Sequence, residues 1–458
     1  MSEFKEVTIG DVCSVGDGAH SKVKRTDSGI PYLTSKNIGQ GSLKLDKLDF
    51  ISEESFEKLF SKDSKATRRP QPGDVLFGII GTFGNAYLYK EQDHFGFSSS
   101  IGVLRPDPEK LDSEYLYYVV SSKQFKANHA NHNAGSVQGY TNIPTVKGLP
   151  IPLPPLEEQK RISKILKSLD DKIQLNRQTN QTLEAIAQAI FKSWFVDFEP
   201  TRAKIAAKEN GQDPELAAMA AIAGKGVDEL NSLSDKQLEK LKSTAALFPD
   251  NLVESELGEI PEGWEVSTLD SIAAFTNGSV NVTELSLKNY VSTENMLSGK
   301  KGISVAASLP TTKTVPYFSK GHILVSNIRP YFKKIWLARF SGGRSNDVLG
   351  FKAIDDDSIE FLYNLLYQDG FFKFMMKTSK GAKMPRGDKK SIAGWAIVKP
   401  TLAARKAFGK TVSSYYKIID SKSIESKLLE QIRDALLPKL LSGELTTHAN
   451  TAELEASA

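Results

Sequence analysis

Two stretches of this chain, 246 residues apart, resemble each other, and that duplication limits the possible folds more than any other feature. "SEYLYYVVSSKQF" at residues 113–125 aligns with "IEFLYNLLYQDGF" at 359–371. The same displacement, without a gap, carries Gly135 onto Gly381, Val146 onto Ile392, Leu149 onto Trp395, Ile151 onto Ile397, Pro154 onto Pro400 and Leu156 onto Leu402. Upstream, with a shift of two more, "PGDVLFGIIGTFGNAYLYK" (72–90) matches "KGHILVSNIRPYFKKIWLA" (320–338); further upstream, at a displacement of 258, "IPYLTSKNI" (30–38) resembles "KNYVSTENM" (288–296). Self-similarity at a fixed period means a repeated structural unit. The 458 residues therefore form two copies of one module, each a globular head followed by a helix.

The join between head and helix is abrupt. In "LPIPLPPLEEQKRISKILKSLDDKI" (149–173), Pro150, Pro152, Pro154 and Pro155 hold the chain extended, because each fixes its own φ and disfavours α at the residue before it. Glu157 and Glu158 then fall in a first helical turn, where carboxylates complement the helix dipole. Beyond them, residues spaced alternately four and three apart read Ile162, Leu166, Leu169, Ile173, Asn176, Asn180, Leu183, Ala187, Ile190 and Trp194, the seam of a coiled coil. Shifted by 246 the seam reads Phe408, Val412, Tyr415, Ile419, Lys422, Ser426, Leu429, Arg433, Leu436 and Leu440. Both seams are polar at the same two central places. Antiparallel pairing sets Asn176 and Asn180 against Lys422 and Ser426, a polar layer that costs stability but fixes register. A helix over residues 156–195 is about 60 Å long at 1.5 Å per residue.

Both heads read as mixed α/β. Short aromatic or β-branched strands are expected at "DVLFGII", "NAYLYK" and "IGVLRP" in the first and at "HILVSNI", "KIWLARF" and "VLGFKAI" in the second, each set followed by one helix. The fold class is thus α+β: two pseudo-repeated globular domains separated by two long helices that form an antiparallel coiled coil. The expected divisions are a first head at 1–150, a helix at 151–198, a helical connector at 199–263, a second head at 264–400, a helix at 401–445 and a tail at 446–458. The connector has no counterpart in the other copy and contains the helix-like pieces "DPELAAMAAIAG" and "SDKQLEKLKSTAALF". It reads either as the link that returns the chain along the helices or as a tolerated insertion.

The net charge of +4 is unevenly spread: residues 264–400 hold 19 basic and 11 acidic residues, whereas residues 1–150 hold 18 of each. A polyanion is best held by that second block. The single cysteine, Cys13, excludes an internal disulfide and a cysteine-pair zinc site. No apolar run approaches the roughly 18 residues needed to cross a bilayer, and the start, "MSEFKEVTIG", has no apolar stretch of signal-peptide length. A cytoplasmic protein with no membrane partner is expected.

No catalytic or metal-binding constellation in the sequence is compelling. "FGIIGTFG" (77–84) lacks the spacing of a dinucleotide or P-loop fingerprint, and "HANH" (129–132) offers two imidazoles without an evident third ligand. "DSK" (63–65) and "DDK" (170–172) resemble half of a nuclease carboxylate–lysine set without the Pro-Asp that should precede it, and no "NPPY" or "DPPY" segment exists to hold a base beside a methyl donor. Neither a catalytic residue nor a bound metal or cofactor is expected in this chain.

What remains is loop chemistry suited to duplex DNA, in which Arg pairs two ways with guanine, Asn and Gln pair with adenine, and Lys secures phosphates. Candidates in the first head are Lys22, Lys24, Arg25, Ser35, Lys36, Asn37, Thr82, Asn85, Asn133, Ser136, Gln138, Tyr140 and Asn142. In the second they are Thr293, Asn295, Asn327, Arg329, Tyr331, Lys333, Lys334, Arg344, Asn346, Lys380, Lys383, Arg386, Lys389 and Lys390. Their recurrence at matching positions of the two copies favours function over chance.

The stretch "IPLPPLEEQKRISKILKSLDDKIQLNRQTNQTLEAIAQAIFKSWFVDFEP" resembles the central conserved region of the specificity subunits of type I restriction-modification systems. "IVKPTLAARKAF" through "LLEQIRDALLPKLLSGEL" resembles their distal conserved region. The resemblance implies two target recognition domains, each reading half of a split DNA site, with the helices as a ruler for the gap. It further implies two methyltransferase subunits bearing S-adenosylmethionine, and translocase-nuclease (restriction) subunits using ATP and Mg, as partners of a non-catalytic chain. The second copy departs from the first at Thr401, Ala403, Ala404 and Arg405, where the first has Pro155, Glu157, Glu158 and Gln159; equivalent docking of partners on the two helices is therefore in question. A self-sufficient DNA-modifying enzyme and a coiled-coil adaptor that binds no DNA are the competing readings.

Overall fold

The computed structural model describes residues 4–21, 23–62, 67–80, 84–131, 141–381 and 383–445. The chain divides into two compact units, residues 1–176 with 424–458 and residues 177–423. The division falls inside both long helices, Leu156–Phe195 and Leu402–Ser442.

In the first unit an antiparallel sheet runs in the order Cys13–Asp17, Ile101–Pro106, Val75–Gly78, Ala86–Leu88. Beside it a smaller sheet has Ile30–Leu33 at its centre, antiparallel to Asp49–Ile51 and parallel to Gly96–Phe97. The second unit repeats the first sheet in full and the second only in its parallel strand pair. Its first sheet runs Ala273–Phe275, Val348–Ala353, Ile323–Ser326, Ile335–Leu337, all antiparallel. Its second again contains a short strand, Tyr290–Val291, parallel to a glycine-containing one, Gly342–Arg344. Every residue of Val75–Gly78 and Ile323–Ser326 is buried, because both faces of those central strands are covered.

The single helix expected after the strands is two helices in each copy, Ser113–Ser121 with Lys123–Asn131 and Ile359–Tyr367 with Asp369–Lys377. The break sits at Ser122 (ψ 151°) and at Gln368 (ψ 144°), positions 246 apart. At the first corner the Ser122 hydroxyl accepts the amide of Phe125 at 3.1 Å and caps the new helix.

The prolines before the first long helix belong to a strand. Pro150–Pro152 lies antiparallel to Glu6–Thr8, with Val7 opposite Ile151. The Ile9 amide donates to the Leu149 carbonyl at 3.0 Å and the Leu153 amide to that of Lys5 at 2.8 Å. In an antiparallel pair the bonded positions alternate, so Pro150 and Pro152 occupy the places where no N–H is required. Proline at every second residue is thereby compatible with the strand. The second copy pairs Ala396–Lys399 with Glu265–Thr268 in the same way.

Inside each unit the long helices run antiparallel. In the first unit Ile162 and Leu166 are buried in one core with Leu440 and Leu441, with Leu436 packed against it. In the second, Ala187, Phe191, Trp194 and Phe195 share a core with Phe408, Val412 and Tyr416. Each residue of the two expected seams is buried or half-buried, and at the ends Phe191, Phe195 and Tyr416 widen the apolar face to meet the head. Residues 199–263 contain four helices, Glu199–Glu209, Pro214–Ala223, Val227–Leu230 and Asp235–Ala245. They have a small core of their own (Ala218, Met219, Leu230, Ala245), and the segment after them contributes Phe248 and Ile260 to the core around Phe195.

Candidate nucleic-acid interface

Several candidate residues turn out to build turns. The Asn37 side chain accepts the Thr34 amide at 2.9 Å and donates to the carbonyls of Lys44 and Lys47. Asn295 does the same in the second head: it accepts the Ser292 amide at 2.6 Å and donates to the carbonyls of Tyr290 and Ser304. The recurrence of Ser/Thr-x-x-Asn thus has a structural cause, since an amide aimed at its own turn is spent on backbone groups. Ser35 is buried with its hydroxyl donating to the Ile80 carbonyl at 2.7 Å. Arg344 is 7% exposed; it donates to the Val348 carbonyl and to Thr276, and burial lowers its pKa. In all four side chains polar atoms are engaged by the protein's own groups.

In the first head Lys24, Arg25 and Lys36 are exposed. Arg25 lies over the Tyr32 ring at 4.1 Å and pairs with Asp49 at 2.9 Å. Asn85 donates to the Ile38 carbonyl, and exposed Asn142 caps the helix Ile143–Lys147 by accepting the Thr145 amide. Lys22, Thr82, Asn133, Ser136, Gln138 and Tyr140 lie outside the described residues.

In the second head three candidate loops meet. The Arg386 amide and carbonyl pair with those of Lys380. The Arg329 amide donates to the Pro385 carbonyl at 2.9 Å, the Asn327 amide donates to the Asp347 carbonyl, and the Asn327 carbonyl accepts the Gly387 amide. The Arg386 guanidinium pairs with Asp347 at 3.2 Å. Tyr331, Lys383 and Arg386 are exposed on this assembly, and Asn346, Lys380, Lys389 and Lys390 are exposed beside it. Asn327 is again partly structural, donating to the Gly387 carbonyl. Lys334 donates to the Thr293 carbonyl, and burial lowers its pKa.

Sequence reasoning missed the partners that hold this surface. Lys300 and Lys333 both pair with Asp369 at 2.8 Å, and these two ammonium groups pull its carboxyl down to about 2. The signal was present in the basic turn "SGKKG" (298–302). Phe332, Leu297 and Met384, all exposed, were also missed, because exposed apolar residues carry no periodic pattern.

Each head is also fixed to its long helix at equivalent positions. Tyr118 donates to Asp170 at 3.0 Å in the first unit, and 246 residues on Asn364 donates to Tyr416 at 2.8 Å in the second. Gln159 is fully buried, accepting the Asp112 amide and donating to the carbonyls of Lys110 and Pro154. Its counterpart Arg405, also buried, reaches Asp355 at 3.3 Å. The departure at Arg405 therefore keeps the head-to-helix tie while changing its chemistry. At the centre of the helices Asn176 donates to Glu425 at 3.1 Å and to Ser426 at 3.4 Å, and Asn180 donates to Ser423 at 3.2 Å. Ser426 is the expected partner; Glu425 and Ser423 were not expected.

Among the described residues no group of three His, Cys, Asp or Glu could hold a metal ion, and no helix is long and apolar enough to cross a membrane. Burial pushes the Cys13 thiol up to about 12, which leaves it a poor nucleophile.

Residues 1–185 match the family described as "Type I restriction modification DNA specificity domain". The chain is 30% identical to the type I restriction enzyme HindI specificity subunit of Haemophilus influenzae over 97% of its own length and 100% of that protein. It is 26% identical to the MjaIX specificity subunit of Methanocaldococcus jannaschii over 97% and 96% of the two chains. A crystal structure of a type I restriction-modification system S subunit from M. genitalium aligns over 96% of both chains with 16% identity and a TM-score of 0.49.

Proposed function

The chain belongs to the type I restriction enzyme specificity subunits, and from that premise we propose that its two heads read the two halves of a split DNA site in the major groove. The observation that carries this is the repeated topology: each copy presents the same four-stranded antiparallel sheet and the same strand leading into a long helix, while its outward loops differ in sequence. A recognition module used twice with different loops suits an asymmetric bipartite target. The long helices, of 40 and 41 residues, act as the ruler. At 1.5 Å per residue such a helix is about 60 Å long, the rise of roughly 17 base pairs, so heads set in from its ends leave several unread pairs between the half-sites.

The chain supplies sequence choice, not chemistry. Two methyltransferase subunits carrying S-adenosylmethionine bind the helices and methylate an adenine in each half-site, and restriction subunits using ATP and Mg join them to cleave unmodified DNA, all in the cytoplasm. The second head holds DNA the more strongly, since it carries the basic surplus.

Sequencing the methylome of cells that express this chain with its partner subunits tests the reading. The expected result is a new methylated motif in two parts with a fixed gap. A continuous motif, or saturable S-adenosylmethionine binding by the purified chain alone, would overturn it.

A further inference from the structure

The tip of the second head combines features that a plain phosphate-binding surface does not need. Four non-glycine residues among those described have positive φ, and three of them meet here: Lys300 (63°), Arg329 (50°) and Lys333 (49°). Left-handed backbone at side-chain-bearing residues is unfavourable and persists where the surroundings impose it. The surroundings do so at several points. The Gly299 and Lys300 amides donate to the carbonyls of Phe332 and Lys333, and the Arg329 amide donates to that of Pro385. Asp369 grips Lys300 and Lys333 together.

This rigid scaffold presents two adjacent rings to solvent. Tyr331 is 51% and Phe332 38% exposed, with centroids 4.6 Å apart. Pro330 beneath them is buried. Exposing two neighbouring aromatic rings costs free energy unless something covers them, and the charge around them selects what. Asp369 is matched by two lysines, Asp347 by Arg386 and Asp388 by Lys380, and the exposed Lys383 adds further positive charge. A polyanion with apolar faces fits such a surface. In duplex DNA those faces are the stacked bases.

We propose that Tyr331 and Phe332 form a preset aromatic wedge that enters one base step of the half-site held by the second head and unstacks it. This rests on the reading that the second head binds DNA. Side chains inserted into a base step partly unstack and kink the duplex, and that deformation costs least at steps that open easily, so the wedge adds sequence preference at a step that needs no hydrogen bond to a base.

The test uses the chain assembled with its methyltransferase partners and a duplex carrying the two-part site found in the methylome. 2-Aminopurine is placed in turn at each step of the second half-site other than the methylated adenine, whose own signal serves as a control. One step is expected to brighten on binding of the wild type. The double variant Tyr331→Ala/Phe332→Ala should lose that brightening and bind roughly 10- to 100-fold more weakly, while the control signal persists with saturating protein. The conservative pair Tyr331→Phe/Phe332→Trp should keep both, which separates a lost wedge from a misfolded head. If the wild type binds tightly and no step brightens, or if the alanine variant matches the wild type, the wedge is wrong while the DNA reading stands. If the wild type does not bind the duplex, the DNA reading itself fails and the wedge with it.

Discussion

Glu184 sits on the first long helix beneath the second head, where water is scarce. Burial raises its pKa above the ordinary 4.5, although the Tyr363 hydroxyl donates to it at 2.6 Å and Arg339 and Lys300 lie near enough to oppose the shift. A carboxyl with a raised folded pKa contributes stability that is present below its unfolded value and is lost as pH rises through the folded value. Glu184→Gln keeps an acceptor for Tyr363 and does not titrate. The variant should therefore unfold roughly 2–4 °C higher than the wild type at neutral pH, with the difference vanishing below pH 4.5, as paired thermal melts would show. A variant less stable than the wild type at neutral pH would mean that the charge itself is needed. At this scale the sequence was only partly readable. Asn37, Asn295 and Arg344 are the residue types that read bases, yet their amides and guanidinium are aimed inward. Composition cannot state direction. Lys300 escaped notice for the opposite reason: its role depends on Asp369, 69 residues away.

The elements were far more legible, because periodicity is a property of backbone geometry. A 3.5-residue apolar repeat can only be buried by a second helix, and the strands at Val75–Gly78 and Ile323–Ser326 announce themselves by β-branched and aromatic runs. The corner at Ser122 and Gln368 was not legible, since the apolar pattern continues across it and only ψ changes. At the middle of the long helices Asn176 is buried and bonded to Glu425 and Ser426. An apolar pair there would gain burial but would accept many registers equally well. Replacing Asn176 and Asn180 by Leu should thus give a chain that melts no lower than the wild type yet elutes as several species in size-exclusion chromatography with light scattering, as helices exchange registers and partner chains. A single monodisperse species would show that the flanking apolar residues and the Asp170–Arg433 pair, 2.7 Å apart, set the register unaided.

For the whole molecule, duplication has a consequence that neither a residue nor an element carries: each head has its own sheets, its own core and its own tie to a helix, so the two should be exchangeable one at a time. The cut must respect the strand pair. Ending a graft at residue 150 would separate Glu6–Thr8 from most of its partner Pro150–Pro152, whereas ending it at residue 155 carries both strands and leaves the helix start intact. The donor head must also present a backbone amide where Asp112 meets Gln159, or the buried glutamine loses an acceptor's partner at a cost of about 1–3 kcal/mol. With residues 1–155 replaced by the matching head of another family member, methylome sequencing should show one half of the motif changed, the other half retained and the gap between them unaltered. A change in both halves would mean that the heads are read as one surface. A change in the gap would mean that the length of the helices does not set it.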